Sequence, residues 1–142
     1  MIIIPFKPEH LAQIDLQAEQ TLAKVHLQNE EYAKSLAAQE SWTLMIDDRV
    51  AACAGFLHVW GNRYQAWAII SATIGASGML TLSKAVLRAL ALKTGRIEAY
   101  VAEEFEAGHR WAKLMGFTLE TPKPMRGWFP EGGGAYLYSR IR

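Results

Sequence analysis

Residues 66–101 read AWAIISATIGASGMLTLSKAVLRALALKTGRIEAYV, and this stretch decides the fold of the chain. It predicts a buried strand over Ala66–Ile70, a glycine-bearing loop, an amphipathic helix and a second strand that begins at Arg96. Gly95 is expected to end the helix. Because a helix joins them, the two strands should be parallel and connected by a right-handed crossover.

The loop Gly75–Met79 lies immediately before the predicted helix. Gly75 and Gly78 can take backbone angles that other residues avoid, and they let a ligand approach the main chain. The first N–H groups of the helix and the positive end of its dipole would point at this loop. The sequence therefore predicts an anion-binding site at this position.

Length and composition indicate one globular domain over residues 1–142. The chain is 51% hydrophobic and 20% charged, which suits a single folded core. Its one cysteine, Cys53, lies in an apolar run and is expected to be a buried, unreactive thiol in a reducing compartment. No signal-peptide pattern and no apolar run of membrane-spanning length is found, so a cytoplasmic protein without a membrane partner is expected.

The charges are distributed unevenly along the chain. The net charge is +1, yet residues 49–97 hold six basic residues and no acidic residue. A phosphate-bearing ligand would favour this balance, and solvated strand and helix ends would produce it equally well. The basic residues form no run, so no nucleic-acid partner is expected. The four histidines and one cysteine have no metal-ligand spacing, so no metal site is expected.

The predicted elements follow the order β-α-α-β-β-β-α-β-α-β-β, which requires a mixed sheet because it combines hairpins with a crossover. Besides the stretch already described, they are the strand Met1–Phe6, helices from Pro8 to about residue 26 and over Glu30–Gln39, a three-stranded meander over residues 42–72, a helix that ends at Gly116, and the strands Phe117–Glu120 and Ala135–Ile141.

Two features of this pattern resemble the GCN5-related N-acetyltransferase (GNAT) superfamily. One is the glycine loop before the central helix, and the other is the late helix that ends in Lys113-Leu114-Met115-Gly116-Phe117 before a strand. The resemblance covers essentially the whole chain. It implies an α+β fold with a mixed, mostly antiparallel sheet, one parallel β-α-β crossover and helices on both faces.

The resemblance also implies acetyl-CoA as co-substrate and an amine as acceptor. The pantetheine arm would insert where the strand that ends at Ile70 and Ser71 splays from the strand Ile97–Val101. Arg110 would hold a CoA phosphate or would instead pair with Glu106 at helical spacing. The pyrophosphate would bind the backbone of five residues, namely Gly75, Ala76, Ser77, Gly78 and Met79.

Two departures from the superfamily pattern concern catalysis. The loop Thr73–Gly78 lacks the usual leading Gln or Arg, and Ala112 stands where active members often carry a tyrosine that protonates the thiolate. Glu98 and Tyr100 share one face of a strand and could replace the missing groups, or they could be ordinary packing residues. His109 has a pKa range suited to acid–base work, or it could be a surface or capping residue.

Two aromatic residues lie on the predicted loop between Pro124 and Pro130. Trp128 and Phe129 would form a substrate lid, contact a partner or pack over the sheet edge.

Several functions are compatible with the sequence. One is an acetyl-CoA-dependent N-acetyltransferase with an unknown acceptor. A second is a non-catalytic phage protein on the same scaffold that acts in virion assembly, is packaged in the virion or binds a host factor. A third is a CoA or acyl-thioester binder that regulates without transfer. Three pieces resemble small tailed-phage proteins related to an internal virion protein of podoviruses. They are Ala66–Ala68 followed by Ile70–Ser71, then Arg96–Val101 leading to Gly108–Lys113, and finally Met125–Gly127 with Pro130, Gly132 and Tyr138. The oligomeric state is open, and a homo-oligomer is compatible with the sequence.

Overall fold

The computed structural model describes residues 1–17 and 29–142, and within them the element order is the predicted one. The elements are β1 (Ile2–Pro5), α1 (His10–Gln13), α2 (Glu30–Ala37), β2 (Ser41–Ile46), β3 (Arg49–Trp60), β4 (Arg63–Ile70), α3 (Gly75–Ala91), β5 (Arg96–Ala102), α4 (Glu106–Leu114), β6 (Thr118–Leu119) and β7 (Ala135–Ile141).

The strands form one mixed sheet in the order β1-β2-β3-β4-β5-β7-β6. The sheet is mostly antiparallel, whereas β4 and β5 are parallel and are joined by α3, as a β-α-β unit requires. Their register pairs Arg63 with Arg96 and Gln65 with Glu98. These observations confirm the predicted α+β fold class with its parallel crossover.

Residue contacts divide the chain into two compact units, Met1–Leu57 with Ala66–Ala85, and His58–Gln65 with Val86–Arg142. The first unit has a core of buried side chains from α1, α2 and the adjacent strands, and Trp67 packs against this core. The second unit contains β5, α4, β6 and β7. A single domain over residues 1–142 stays a prediction.

The first helix is much shorter than predicted. α1 ends at Gln13, Ile14 is extended with ψ 138°, and Leu16 forms an antiparallel bridge with Ser71. A single helix from Pro8 to about residue 26 is therefore wrong at residues 14–17. There the backbone bonds a neighbouring segment, since the Ala72 N–H donates to the Asp15 carbonyl (2.8 Å). The rest of that predicted helix, residues 18–28, lies outside the described residues.

The glycine loop is part of a helix, because α3 begins at Gly75 and the preceding turn is Ser71–Ile74. Gly75 has φ +74°, and a Cβ there would meet nothing within 4 Å. Gly78 is buried, and a Cβ at this position would lie 2.6 Å from Ile74 and 2.8 Å from Ile46. Gly78 is thus required by packing inside the first unit, and Gly75 remains the open position.

The strand that leads into this turn is less buried than expected. Residues 66–69 are half-buried, and within Ala66–Ile70 it is Ile70, 7% exposed, that belongs to the core. The prediction of a strand buried on both faces is wrong along most of this segment. A polar atom is also left without a partner here, because the buried Nε1 of Trp67 has no hydrogen bond within the described residues.

Three buried polar side chains form a chain of contacts in the first unit. The His10 Nδ1 accepts from the Lys7 N–H (3.1 Å) and from the Thr43 hydroxyl (2.8 Å), which lies 3.6 Å from the Cys53 Sγ. Burial raises the pKa of the Cys53 thiol to about 12, which confirms the predicted unreactive cysteine. Burial also lowers the pKa of His10, because a charged imidazole would lose its hydration.

Gly95 does not end the helix, since α3 stops at Ala91, but it joins the ends of three strands. Its N–H donates to the Arg142 carbonyl (2.6 Å), its carbonyl accepts from the Arg142 N–H (3.0 Å), and its φ is +97°. A Cβ at Gly95 would lie 2.2 Å from the Asn62 carbonyl oxygen. Because that neighbour is backbone, it cannot move aside as a side chain would.

Gly95→Ala is therefore expected to lower the free energy of unfolding by about 3 kcal/mol or more, measured by urea denaturation. Gly132→Ala is the matched control, since Gly132 has φ +99° but nothing within 4 Å of its ideal Cβ. It should lose about 1 kcal/mol from backbone strain alone. Equal losses in the two variants would contradict the close approach at Asn62.

Acidification is expected to destabilise the first unit through His10. Its pKa is lowered on folding, so the unfolded chain binds more protons as the pH falls through about 6.5, and the free energy of unfolding decreases. His10→Asn, whose side-chain oxygen can replace Nδ1 as acceptor, should flatten the dependence between about pH 7.5 and pH 5.5. Denaturation at several pH values measures this slope, and an unchanged slope in the variant would refute the role of His10.

Candidate functional site

The N-terminal turn of α3 is the candidate anion site in the first unit. Gly75, Ala76 and Ser77 are exposed, Met79 is half-buried, and the first turn contains no acidic residue. The first four N–H groups of a helix have no partner within it, and the helix dipole adds positive potential. Three of the five predicted cradle residues are thus accessible, whereas Gly78 faces the core.

The turn before α3 is built by Ser71. Its hydroxyl accepts from the Thr73 N–H (3.2 Å) and lies 3.0 Å from the Thr73 hydroxyl, while its carbonyl accepts from the Ile74 N–H (3.3 Å). Ser71 is 4% exposed, so its side chain shapes the turn from inside. Ile70 is buried as well, and its carbonyl accepts from the Gln17 side chain (3.2 Å). Ile70 and Ser71, both predicted to bind the cofactor, are therefore buried and stabilise the turn from inside.

The second unit contains a buried carboxylate, Glu98 on β5, which is 3% exposed. Its Oε1 accepts from Nε of Arg63 on β4 and from Nε of Arg96 (3.3 Å), and its Oε2 accepts from the Tyr100 hydroxyl (3.2 Å). The hydrogen bond from Arg63 is the main cause that lowers the pKa of Glu98. A carboxylate held in its charged form by two guanidinium groups is a weak base.

The two arginines extend this cluster to neighbouring strands. Arg96 binds Glu120, which follows β6, through both Nη atoms, with a distance of 3.0 Å from Nη1 to Oε1. The guanidinium of Arg63 lies 4.3 Å from the ring centre of Trp60. Sequence reasoning counted Arg63 and Arg96 as cations for a ligand and overlooked Glu120. The alternation Arg96-Glu98-Tyr100 on one strand face was the available signal.

Tyr100 contacts both the buried carboxylate of Glu98 and the loop residue Trp128. Its ring stacks on Trp128 with ring centres 4.4 Å apart and an interplanar angle of 22°. Burial, and then the charge of Glu98, raise the pKa of Tyr100, so the phenol keeps its proton at neutral pH. The structure thus brings together two predicted catalytic residues and one of the two loop aromatics. Trp128 remains 45% exposed on its loop.

His109 lies apart from Glu98 and Tyr100. Its Nε2 donates to the Glu103 carbonyl (3.0 Å), so its Nδ1 is the atom that accepts from the Tyr138 hydroxyl (2.8 Å). Tyr138 pairs with Ala99 on β5, whose side chain points to the opposite sheet face from Glu98 and Tyr100. Both ring nitrogens are thus engaged by groups of the second unit, and a role of His109 in acid–base chemistry stays a prediction. Arg110, the next residue of α4, is exposed, and its role as a CoA ligand stays a prediction.

Comparisons with known proteins agree with this architecture. No protein-family model matches the sequence, and no curated protein matches it significantly. Solved structures do match over nearly their whole length. The GNAT-family acetyltransferase from Bacillus anthracis superposes with a TM-score of 0.69 at 15% identity, covering 98% of this chain and 93% of that chain. The chain has the GNAT fold.

Two further structures with the same fold support this assignment. The ribosomal-protein-alanine N-acetyltransferase from Brucella melitensis has a TM-score of 0.71 at 11% identity, and each chain is covered completely (100%). Ard1 from Thermoplasma volcanium has a TM-score of 0.73 at 11% identity, covering 99% of this chain and 96% of that chain. The predicted GNAT fold is confirmed, whereas the comparisons give no support to a phage origin.

The described residues contain neither a metal-binding cluster nor a membrane-spanning helix. Within residues 1–17 and 29–142, no group of three or more His, Cys, Asp or Glu side chains could hold a metal ion. In the same part of the chain, no helix is long and apolar enough to cross a membrane.

Glu98→Gln is expected to lower the free energy of unfolding by about 3 kcal/mol, because it removes the charge that the buried cluster is built around. Glu120→Gln is the matched control, since its side chain is 34% exposed and water screens its pair with Arg96. It should lose less than about 1 kcal/mol. Urea denaturation measures both, and similar losses in the two variants would contradict the central role of Glu98.

Proposed function

We propose that the chain binds acetyl-CoA at the N-terminal turn of α3 and transfers the acetyl group to an amine. The observation that carries this proposal is the exposed, acid-free start of α3 directly after the parallel strand β4, in a chain with the GNAT fold. Free backbone N–H groups and the helix dipole both stabilise a phosphate there. Two of the proteins with this fold described above, from Bacillus anthracis and Brucella melitensis, are acetyltransferases.

The residues present fit a diphosphate ligand. Gly75 has open space where a side chain would stand, and Ala76 and Ser77 are small and exposed. A bound anion could therefore approach the main chain without displacing a side chain. The superfamily's leading Gln or Arg is replaced by Thr73, so the backbone N–H groups would supply most of the contacts.

Acetyl-CoA supplies an acetyl group that is activated as a thioester. On the side of the chain, transfer to an amine is helped by a group that donates a proton to the departing thiolate. Tyr100 is the best candidate of the three predicted residues, because it keeps its proton and is held by Glu98 and Trp128. Glu98 is assigned the orientation of Tyr100, since its lowered pKa makes it a poor base. His109 is assigned a structural role.

A second candidate function is a non-catalytic protein on the same scaffold. Ala112, which is buried, stands at the position of the usual tyrosine and has no proton to donate. This observation favours a chain that binds CoA without turnover, or one that acts in virion assembly or binds a host factor. The acceptor amine and the partner protein are left open by both candidates.

Ala76→Asp is expected to weaken acetyl-CoA binding at least about tenfold by isothermal titration calorimetry, because a carboxylate at the first turn repels a phosphate. The same charge stabilises a helix N-terminus, so the loss of affinity should come without a loss of thermal stability. Ala91→Asp, at the exposed other end of α3, is the control and should bind like wild type.

Two outcomes would overturn parts of this proposal. An absence of acetyl-CoA binding at millimolar concentration contradicts the assignment of the site. Binding without release of free CoA in the presence of a panel of primary amines favours the non-catalytic candidate. If CoA is released, Tyr100→Phe should lower kcat about a hundredfold, the lower limit usually seen when proton transfer is lost.

A further inference from the structure

A short segment after α1 is bonded to the strand end and turn that precede the candidate anion site. Leu16 forms an antiparallel bridge with Ser71, and the Ala72 N–H donates to the Asp15 carbonyl (2.8 Å). The Gln17 side chain adds a third link, since its Nε2 donates to the Ile70 carbonyl (3.2 Å). These links all lie inside the first unit.

This segment departs from the conformation that its own sequence favours. Apolar residues recur at helical spacing at Leu11, Ile14 and Ala18, and the intervening Gln13 and Gln17 are good helix formers. The chain nevertheless becomes extended at Ile14. Helical hydrogen bonds are given up for bonds to residues 71 and 72. A local preference that is overruled in this way is expected at functional positions.

The other side of the same turn is already held by the sheet. The Ser71 N–H donates to the carbonyl of Ala51 on β3 (2.8 Å). The backbone of residues 70–72 is therefore hydrogen-bonded to β3 on one side and to residues 15–17 on the other. The bonds to residues 15–17 add to this sheet bond and to the turn's own contacts, which join Ser71 to Thr73 and to Ile74.

We infer that Asp15–Gln17 is a strap that positions the turn Ser71–Ile74 for ligand binding at the start of α3, with Gln17 as its positioning residue. The inference rests on the proposed function for the identity of the ligand, a diphosphate such as that of acetyl-CoA. The strap touches the turn and not the ligand. It sets the direction in which the first N–H groups of α3 point, and the affinity for an anion depends steeply on that direction.

The test compares Gln17→Leu, which has a similar shape but no donor, with Gln17→Lys, which keeps a donor. Gln13→Leu is the matched control, because Gln13 is exposed at the end of α1. Loss of one hydrogen bond should weaken acetyl-CoA binding about fivefold in Gln17→Leu, whereas Gln17→Lys and Gln13→Leu should bind as wild type does. Calorimetry measures the affinities.

Hydrogen exchange of the Ala72 amide provides a second readout that needs no ligand. This amide donates to Asp15, so Gln17→Leu should accelerate its exchange about fivefold while amides of β2 and β3 keep the wild-type rate. Acetyl-CoA should slow the exchange of Ala72 in the wild-type chain, because a bound ligand stabilises the conformation that it selects.

The outcomes separate the inference from the proposed function. If wild type does not bind acetyl-CoA, the proposed function fails, and the free-state exchange of Ala72 alone decides whether the strap exists. If Gln17→Leu leaves the affinity and the Ala72 exchange unchanged, the strap is refuted although acetyl-CoA binds. Faster exchange throughout β2 and β3 together with a large fall in Tm indicates a merely structural role and also refutes the inference.

Discussion

A carboxylate inside a sheet must be neutralised, and in this chain Glu98 is neutralised by two guanidinium groups from two strands. A buried ion that loses a partner is strongly destabilising, so Arg63, Arg96 and Glu98 constrain one another in position. Arg63 pairs with Arg96 where the parallel contact of β4 and β5 begins. The parallel pairing of β4 with β5 is therefore tied to Glu98, a buried carboxylate that lies within it.

This constraint also explains what Tyr100 can do. The phenol donates to Glu98 and its ring is covered by Trp128, so its position is set from two directions. A group in such a setting loses little conformational entropy when it acts, which is the benefit of preorganisation. The same setting removes Glu98 from the list of useful bases. Two neighbouring residues with similar promise in the sequence thus receive different assignments from their surroundings.

Much of the fold follows from the sequence because its signals are local. The alternation and turn residues of the strands, and Gly116 at the end of the last helix, predict the element order without further information. The contacts within the candidate site are harder to predict from the sequence. The pairs of Glu98 with Arg63 and of Arg96 with Glu120 join residues 35 and 24 positions apart. The early end of α1 was missed for the same reason, since the bond of Asp15 to Ala72 overrules helical periodicity.

The two charged regions of the molecule differ in how ionic strength would act on them. Around Glu98, which is 3% exposed, two guanidinium groups lie at contact distances of 3.3 Å or less, far below the Debye length of about 8 Å in physiological salt. Dissolved ions can hardly screen charges that compensate one another so closely. The exposed start of α3 has no acidic residue in its first turn, so salt anions would compete there directly with any phosphate. Rising ionic strength would thus weaken anion binding at the start of α3 while leaving the ion pairs of Glu98 intact.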